Sequence, residues 1–78
     1  MSKTIHNQTY KALIAELKKA RRAAGLTQQD VADALDKPQS YVAKTEGFER
    51  RLDIIELMEY CEAVRADKRQ ILKICLDS

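Results

Sequence analysis

A short segment near the middle of the chain carries four polar side chains whose hydrogen-bonding chemistry is complementary: Gln39, Ser40, Tyr41 and Lys44. A glutamine amide can pair in two places with the edge of an adenine, and a lysine ammonium donates to guanine or to a phosphate. A serine hydroxyl can serve a base or a phosphate, and tyrosine adds a hydroxyl and a ring edge that fits a thymine methyl. These side chains could read base pairs in double-stranded DNA if one surface presents them together.

The residues around this segment predict two short helices joined by a tight turn. Thr27 is a good N-cap and Asp30 follows three residues later, which indicates a helix over Thr27–Leu35. Pro38 favours the start of the next helix, over Pro38–Glu46, and Gly47 ends it. In such a corner the second helix can enter the major groove while the first crosses the DNA backbone.

Apolar periodicity predicts three further helices, so we expect an all-α fold of five helices. The first covers Gln8–Ala24 and is followed by a capping glycine, Gly25. The fourth covers Asp53–Val64, with Ile54 and Cys61 on its apolar face, and the fifth begins at Asp67. We expect a single domain over residues 1–78, with a core over 8–64 and a C-terminal helical segment over 65–78.

The fifth helix has more apolar residues than one face of a short terminal helix needs: Ile71, Leu72, Ile74, Cys75 and Leu76. The sequence leaves two interpretations open. The residues could all serve the core, or part of the surface could form a homodimer interface to which the fourth helix contributes. A dimer would favour DNA recognition, because a two-fold pair of reading helices recognises two half-sites.

Composition is that of a small globular protein with a basic N-terminal third. The 78 residues are 45% hydrophobic and 33% charged, with two glycines and one proline. The net charge is only +2, but residues 1–25 carry six lysines and arginines against one glutamate. Such asymmetry is expected of a protein that turns one face to a polyanion. No apolar run approaches the length of a membrane span, so we expect a cytoplasmic protein without a membrane partner.

The sequence does not indicate an enzyme, a metal site or a cofactor. His6 is the only histidine, and the two cysteines, Cys61 and Cys75, have neither metal-ligand spacing nor a base partner. No glycine-rich loop is present to hold a phosphate. We interpret both cysteines as buried, reduced thiols.

Leu13 to Val64 resembles the lambda-repressor-like helix-turn-helix family, also called the Xre or Cro/C1 type. The segments that carry the resemblance are RRAAGLTQQDVADAL, then QSYVAKTE, then ERRLDIIEL, within about two thirds of the chain. The resemblance implies the five-helix family fold with its helix-turn-helix at helices 2 and 3. It also implies a phosphate contact for Gln28, base contacts for the four polar residues of the reading helix, and a structural ion pair between Arg21 and Glu46.

Two positions depart from the family pattern. Thr45 stands where an aliphatic residue is usual, and Phe48 occupies the usual glycine place while Gly47 comes one residue early. The following loop contains Arg50 and Arg51, which we expect either to contact phosphates or to pair with nearby acidic residues, Glu49 and Asp53. The acidic face formed by Glu56, Glu59 and Glu62 should point away from DNA.

We therefore expect a sequence-specific transcriptional regulator that acts as a repressor and binds a palindromic operator as a homodimer. One alternative is the antitoxin of a toxin–antitoxin pair, which would also bind a protein. Another is a protein-interaction module that kept the fold, which the polar reading helix disfavours.

Overall fold

The computed structural model describes residues 7–77, which form five α-helices and no strand within that range. The helices are α1 (Gln8–Ala23), α2 (Gln28–Leu35), α3 (Gln39–Glu46), α4 (Ile54–Ala63) and α5 (Lys68–Leu76). Each predicted boundary agrees to within one residue, and the all-α fold class is confirmed. Lys3 and His6 lie outside the described residues. Among residues 7–77, no helix combines the length and the apolarity needed to cross a membrane.

Side chains cap the starts of four helices, because the first backbone N–H groups of a helix have no partner within it. The Thr27 hydroxyl accepts a hydrogen bond from the Asp30 N–H at 3.0 Å, and the Asp30 carboxylate accepts one from the Thr27 N–H at 2.8 Å. This reciprocal pair lowers the pKa of Asp30. Asp53 and Glu56 form the same arrangement at the start of α4. The remaining side-chain caps are Asn7 for α1 and Asp67 for α5.

Each of the first four helices is followed, one or two residues after its last residue, by a residue with left-handed backbone conformation. These residues are Gly25 (φ 73°), Asp36 (φ 58°), Phe48 (φ 63°) and Arg65 (φ 62°). In each case the next backbone N–H returns to a carbonyl in the last turn of the helix, for example Leu26 N–H to Arg21 O at 3.0 Å. Only the first of the four uses glycine, which adopts a positive φ without steric cost.

The core lies between the helix-turn-helix corner and the other three helices. α2 packs against both α3 and α4, while α1 packs against α3 and α5. Every helix therefore places at least one side chain in the core. The least exposed of the large core side chains are Ile14, Leu17, Val31, Val42, Tyr60, Cys61, Val64 and Ile71.

Two sequence predictions about apolar residues are wrong. Ile54, placed on the inner face of α4, is 59% exposed, because it lies one turn before Leu57, the first buried residue of that helix. Cys75, predicted to be a buried thiol, is exposed, because Ile71 is the only residue of α5 that is fully buried among those described. The buried position of Cys61 is confirmed.

Candidate DNA-binding interface

The turn between α2 and α3 gives the corner its shape. Asp36 adopts the left-handed conformation, and the Lys37 N–H donates to Ala32 O at 2.9 Å, which ends α2 sharply. Pro38, with φ of −69°, is the residue that precedes α3. The helix therefore begins one residue later than predicted, at Gln39. The N-terminal end of α3 is exposed at Gln39 and Ser40, as a reading helix requires.

α3 divides its side chains between the core and the solvent. Val42, Thr45 and Glu46 are buried, whereas Gln39, Ser40 and Lys44 are exposed. Tyr41 lies between these extremes and is partly buried. The structure therefore brings the four predicted base-reading residues onto one short helix, three of them exposed.

Thr45, one of the departures from the family pattern, is accommodated inside the core. Its side chain is completely buried, and its hydroxyl donates to the carbonyl oxygen of Tyr41 at 2.8 Å. The hydroxyl hydrogen is thereby satisfied within the helix, so a polar residue can occupy a site that usually holds an aliphatic one.

A buried ion pair fastens α3 to α1. Arg21 donates from Nε to Glu46 Oε2 at 2.7 Å and from Nη2 to Glu46 Oε1 at 3.0 Å, and the two side chains are only 9% and 3% exposed. Arg21 Nη1 also donates to Leu26 O at 2.9 Å, which connects the loop between α1 and α2 to the ion pair. The hydrogen bonds to Glu46 raise the pKa of Arg21.

Two glutamines extend this ion pair to the protein surface. Gln28 Nε2 donates to Glu46 Oε1 at 3.1 Å, and Gln39 Nε2 donates to Gln28 Oε1 at 2.6 Å. A continuous chain of hydrogen bonds therefore runs from the buried Arg21 to the exposed first residue of α3. Sequence reasoning assigned roles to both glutamines but missed the link between them. Their positions could have indicated this hydrogen bond, because each glutamine is the first residue of one of the two helices of the corner.

The two arginines that follow α3 differ in their surroundings. Arg50 donates to both carboxylate oxygens of Glu56, at 2.9 and 3.3 Å, and its guanidinium lies 4.4 Å from the centre of the Tyr41 ring. Its partner is neither of the acidic residues that the sequence suggested. Arg51 is exposed and lies 5.5 Å from the centre of the Tyr10 ring.

The junction after α3 is built around Phe48. Gly47 has a φ of −89°, whereas Phe48 takes the left-handed conformation with φ of 63°. The chain therefore turns at the position where the family pattern places glycine, although this chain has phenylalanine there. The ring is partly buried against the core and lies 5.8 Å from Lys11 Nζ.

The corner, the reading helix and the buried link to α1 define a helix-turn-helix domain. Residues 17–64 match the family described as helix-turn-helix. Among solved structures, the chain is similar to an Xre-family-like protein from Pseudomonas syringae pv. tomato strain DC3000. The two are 47% identical with a TM-score of 0.85, over 95% of this chain and 92% of that one. A search of curated proteins finds no match.

This chain therefore belongs to the Xre-type, lambda-repressor-like helix-turn-helix family of DNA-binding regulators.

Proposed function

We propose that the chain is a transcriptional repressor that binds a palindromic operator as a homodimer and reads it with α3. The observation that carries this proposal is the division of α3 into a buried face and an exposed polar face. Gln39, Ser40 and Lys44 are accessible along that helix, and the major groove admits one helix of this kind. A repressor would act by occupying DNA that the transcription machinery needs.

Gln39 is the residue best prepared to read a base. Its amide nitrogen donates one hydrogen to Gln28, which leaves the second hydrogen and the amide oxygen for adenine N7 and N6. The amide would therefore meet the base in an orientation already fixed in the free protein. Ser40, Tyr41 and Lys44 would contact neighbouring base edges.

Gln28 would serve both the DNA backbone and the reading helix. As the first residue of α2 it lies where unpaired backbone N–H groups favour a phosphate. Its side chain meanwhile orients Gln39. Arg51, exposed in the loop that follows the reading helix, would add a phosphate contact.

The outer face of α5 supports the homodimer. Leu76 is 81% exposed and Leu72 is 36% exposed, on the same side of the helix. Two further exposed isoleucines, Ile54 and Ile55, lie at the start of α4. In sedimentation velocity, Leu76→Ser should weaken self-association, and Ile55→Ser measures what α4 contributes. Sedimentation of the wild-type chain as a monomer on operator DNA would contradict the homodimer.

Selection of bound sequences from a random duplex pool tests the proposed function. The wild-type chain should enrich a two-fold symmetric motif. Gln39→Ala should relax the preference at one position of each half-site. Gln28→Ala should weaken binding to all sequences and also reduce the preference at the Gln39 position. Failure of the wild-type chain to enrich any motif would contradict the proposal, and an unsymmetrical motif would contradict the palindromic operator.

A further inference from the structure

We propose that Arg50 is a positioning residue that fixes the Tyr41 side chain for base reading, and that it is not a phosphate ligand. This inference rests on the proposed function, because Tyr41 has a base to read only if α3 binds DNA. It assigns to Arg50 a role that its place in a basic loop beside the reading helix does not indicate.

The first observation is the stacking of Arg50 on Tyr41. The guanidinium carbon lies 4.4 Å from the centre of the ring, and the Lys37 ammonium lies 5.4 Å from the same centre. A planar guanidinium at this distance attracts the ring face and restricts its rotation. Tyr41 is partly buried, and desolvation raises the pKa of its hydroxyl, so the hydroxyl stays protonated and able to donate.

The second observation is that Arg50 is itself held in place. It reaches both carboxylate oxygens of Glu56, and Nη1 also donates to Arg51 O at 2.9 Å. The Glu56 hydrogen bonds raise the pKa of Arg50, and the same contacts lower the pKa of Glu56. The charge of Arg50 is thus compensated within the protein, which disfavours its release to a phosphate.

The third observation is that Glu56 is anchored to the backbone of α4. Its carboxylate accepts from the Asp53 N–H at 2.9 Å, and the Asp53 carboxylate accepts from the Glu56 N–H at 2.8 Å. The start of α4 therefore holds Glu56 in place, Glu56 holds Arg50, and Arg50 contacts the Tyr41 ring. On the other side, the Arg50 N–H donates to Lys44 O at 3.2 Å, which places the loop against the end of α3.

Arg51 provides a matched contrast one residue away. It is exposed, and none of the described residues forms an ion pair with it. The two adjacent arginines therefore differ: Arg51 has no ion-pair partner among the described residues and lies near the Tyr10 ring, whereas Arg50 is held between Glu56 and the Tyr41 ring.

The decisive variant is Arg50→Lys, which keeps the charge but loses the planar stacking and the two-point contact with Glu56. On the DNA selected by the wild-type chain, we expect Arg50→Lys to reduce discrimination at the base pair read by Tyr41 by about tenfold. That base pair is the position at which Tyr41→Ala loses its preference. The dependence of affinity on salt should stay unchanged. In the Tyr41→Ala background, Arg50→Lys should have no further effect on discrimination.

Alanine variants of the two arginines separate positioning from phosphate binding. Arg51→Ala should lower the slope of log affinity against log salt by about one and keep the base preferences. Arg50→Ala should keep the slope and lose the Tyr41 preference. The proposal is overturned if Arg50→Ala lowers the slope as Arg51→Ala does while Arg50→Lys retains every base preference. Failure of the wild-type chain to select any sequence would contradict the proposed function instead.

A measurement on the free protein tests the geometry without DNA. Stacking on Tyr41 should move the Arg50 side-chain proton resonances upfield in the NMR spectrum through the ring current. Glu56→Gln can still cap α4 but loses the charged partner of Arg50, so these resonances should return toward ordinary values. Ordinary Arg50 resonances in the wild-type chain would also overturn the proposal.

Discussion

Two ion pairs support the reading helix, and they have similar distances but different access to water. Arg21 and Glu46 are 2.7 Å apart, with side chains 9% and 3% exposed, while Arg50 and Glu56 are 2.9 Å apart, with side chains 36% and 23% exposed. A buried charge that loses its partner has no water to replace it, whereas a half-exposed one does. The first pair should therefore hold the fold together, and the second should mainly set the orientation of a side chain.

The two pairs also connect different parts of the molecule to α3. The buried pair joins α1 to the end of α3 and continues through Gln28 to Gln39. The half-exposed pair joins the start of α4 to the Tyr41 ring. The proposed base-reading side chains are thus oriented from two sides. Breaking the buried pair should cost much stability, and breaking the half-exposed pair should cost little.

The strongest test of this comparison is Glu46→Gln. The substitution preserves shape but leaves Arg21 buried without a counter-charge, so we expect a loss of about 3 kcal/mol in the free energy of unfolding. Urea denaturation followed by circular dichroism measures it. Glu49→Gln, at an exposed position three residues beyond the end of α3, serves as control and should change stability by less than about 0.5 kcal/mol. A loss below about 1 kcal/mol for Glu46→Gln would break the distinction between the pairs.

The half-exposed pair should give a smaller loss. Glu56→Ala removes both the ion pair and part of the α4 cap, and we expect it to cost about 1 kcal/mol, mostly through the cap. Glu59→Ala, one turn along the same helix and exposed, is the control and should be close to neutral. If Glu56→Ala destabilised the chain as much as Glu46→Gln, burial would not be what separates the two pairs.

Acid titration sharpens the same comparison. The Arg50 hydrogen bond lowers the pKa of Glu56 in the folded chain, so its contribution to stability is present above the ordinary carboxyl pKa. That contribution is lost as the pH falls through the lowered pKa of the folded state. The unfolding free energy of the wild-type chain should therefore decrease below about pH 4. The unfolding free energy of the Glu56→Gln variant should decrease less steeply over the same range. Parallel pH profiles for the two proteins would contradict this assignment.

The helices and their ends were predictable from the sequence because the signals for them are local. Thr27 with Asp30, Asp53 and Gly25 each mark a boundary through backbone hydrogen bonds a few residues away. The outer position of the polar residues on α3 follows in the same way, since three- and four-residue spacing decides which face is buried.

The connections between helices could not be predicted in this way. Arg50 had several acidic residues within reach along the chain, and only the packing of α4 against the corner determines that Glu56 is the partner. The Arg21–Glu46 pair, 25 residues apart, was expected only through resemblance to a family. The predictions of burial for Ile54 and Cys75 were wrong because periodicity identifies an apolar face but does not show whether another helix covers it.

The smallest expected effect concerns Tyr60, whose ring lies in the core near the buried ion pair. The side chain is 1% exposed, and its hydroxyl has no hydrogen-bond partner among the residues that the structure describes. Desolvation raises the pKa of this hydroxyl, so the group stays neutral. Because an unpaired buried hydroxyl already carries its desolvation cost, Tyr60→Phe should leave the unfolding free energy unchanged or raise it slightly.

Tyr10→Phe is the matched control, since the Tyr10 hydroxyl donates to Arg50 O at 3.3 Å. Its removal should cost about 0.5 kcal/mol, the lower end of what one hydrogen bond contributes. Denaturation of the two variants under the same conditions gives the comparison directly. A loss of more than about 1 kcal/mol for Tyr60→Phe would mean that the hydroxyl is paired in solution. The polar network around Glu46 would then reach further into the core than Arg21 and Gln28, and more of the stability of the reading helix would depend on it.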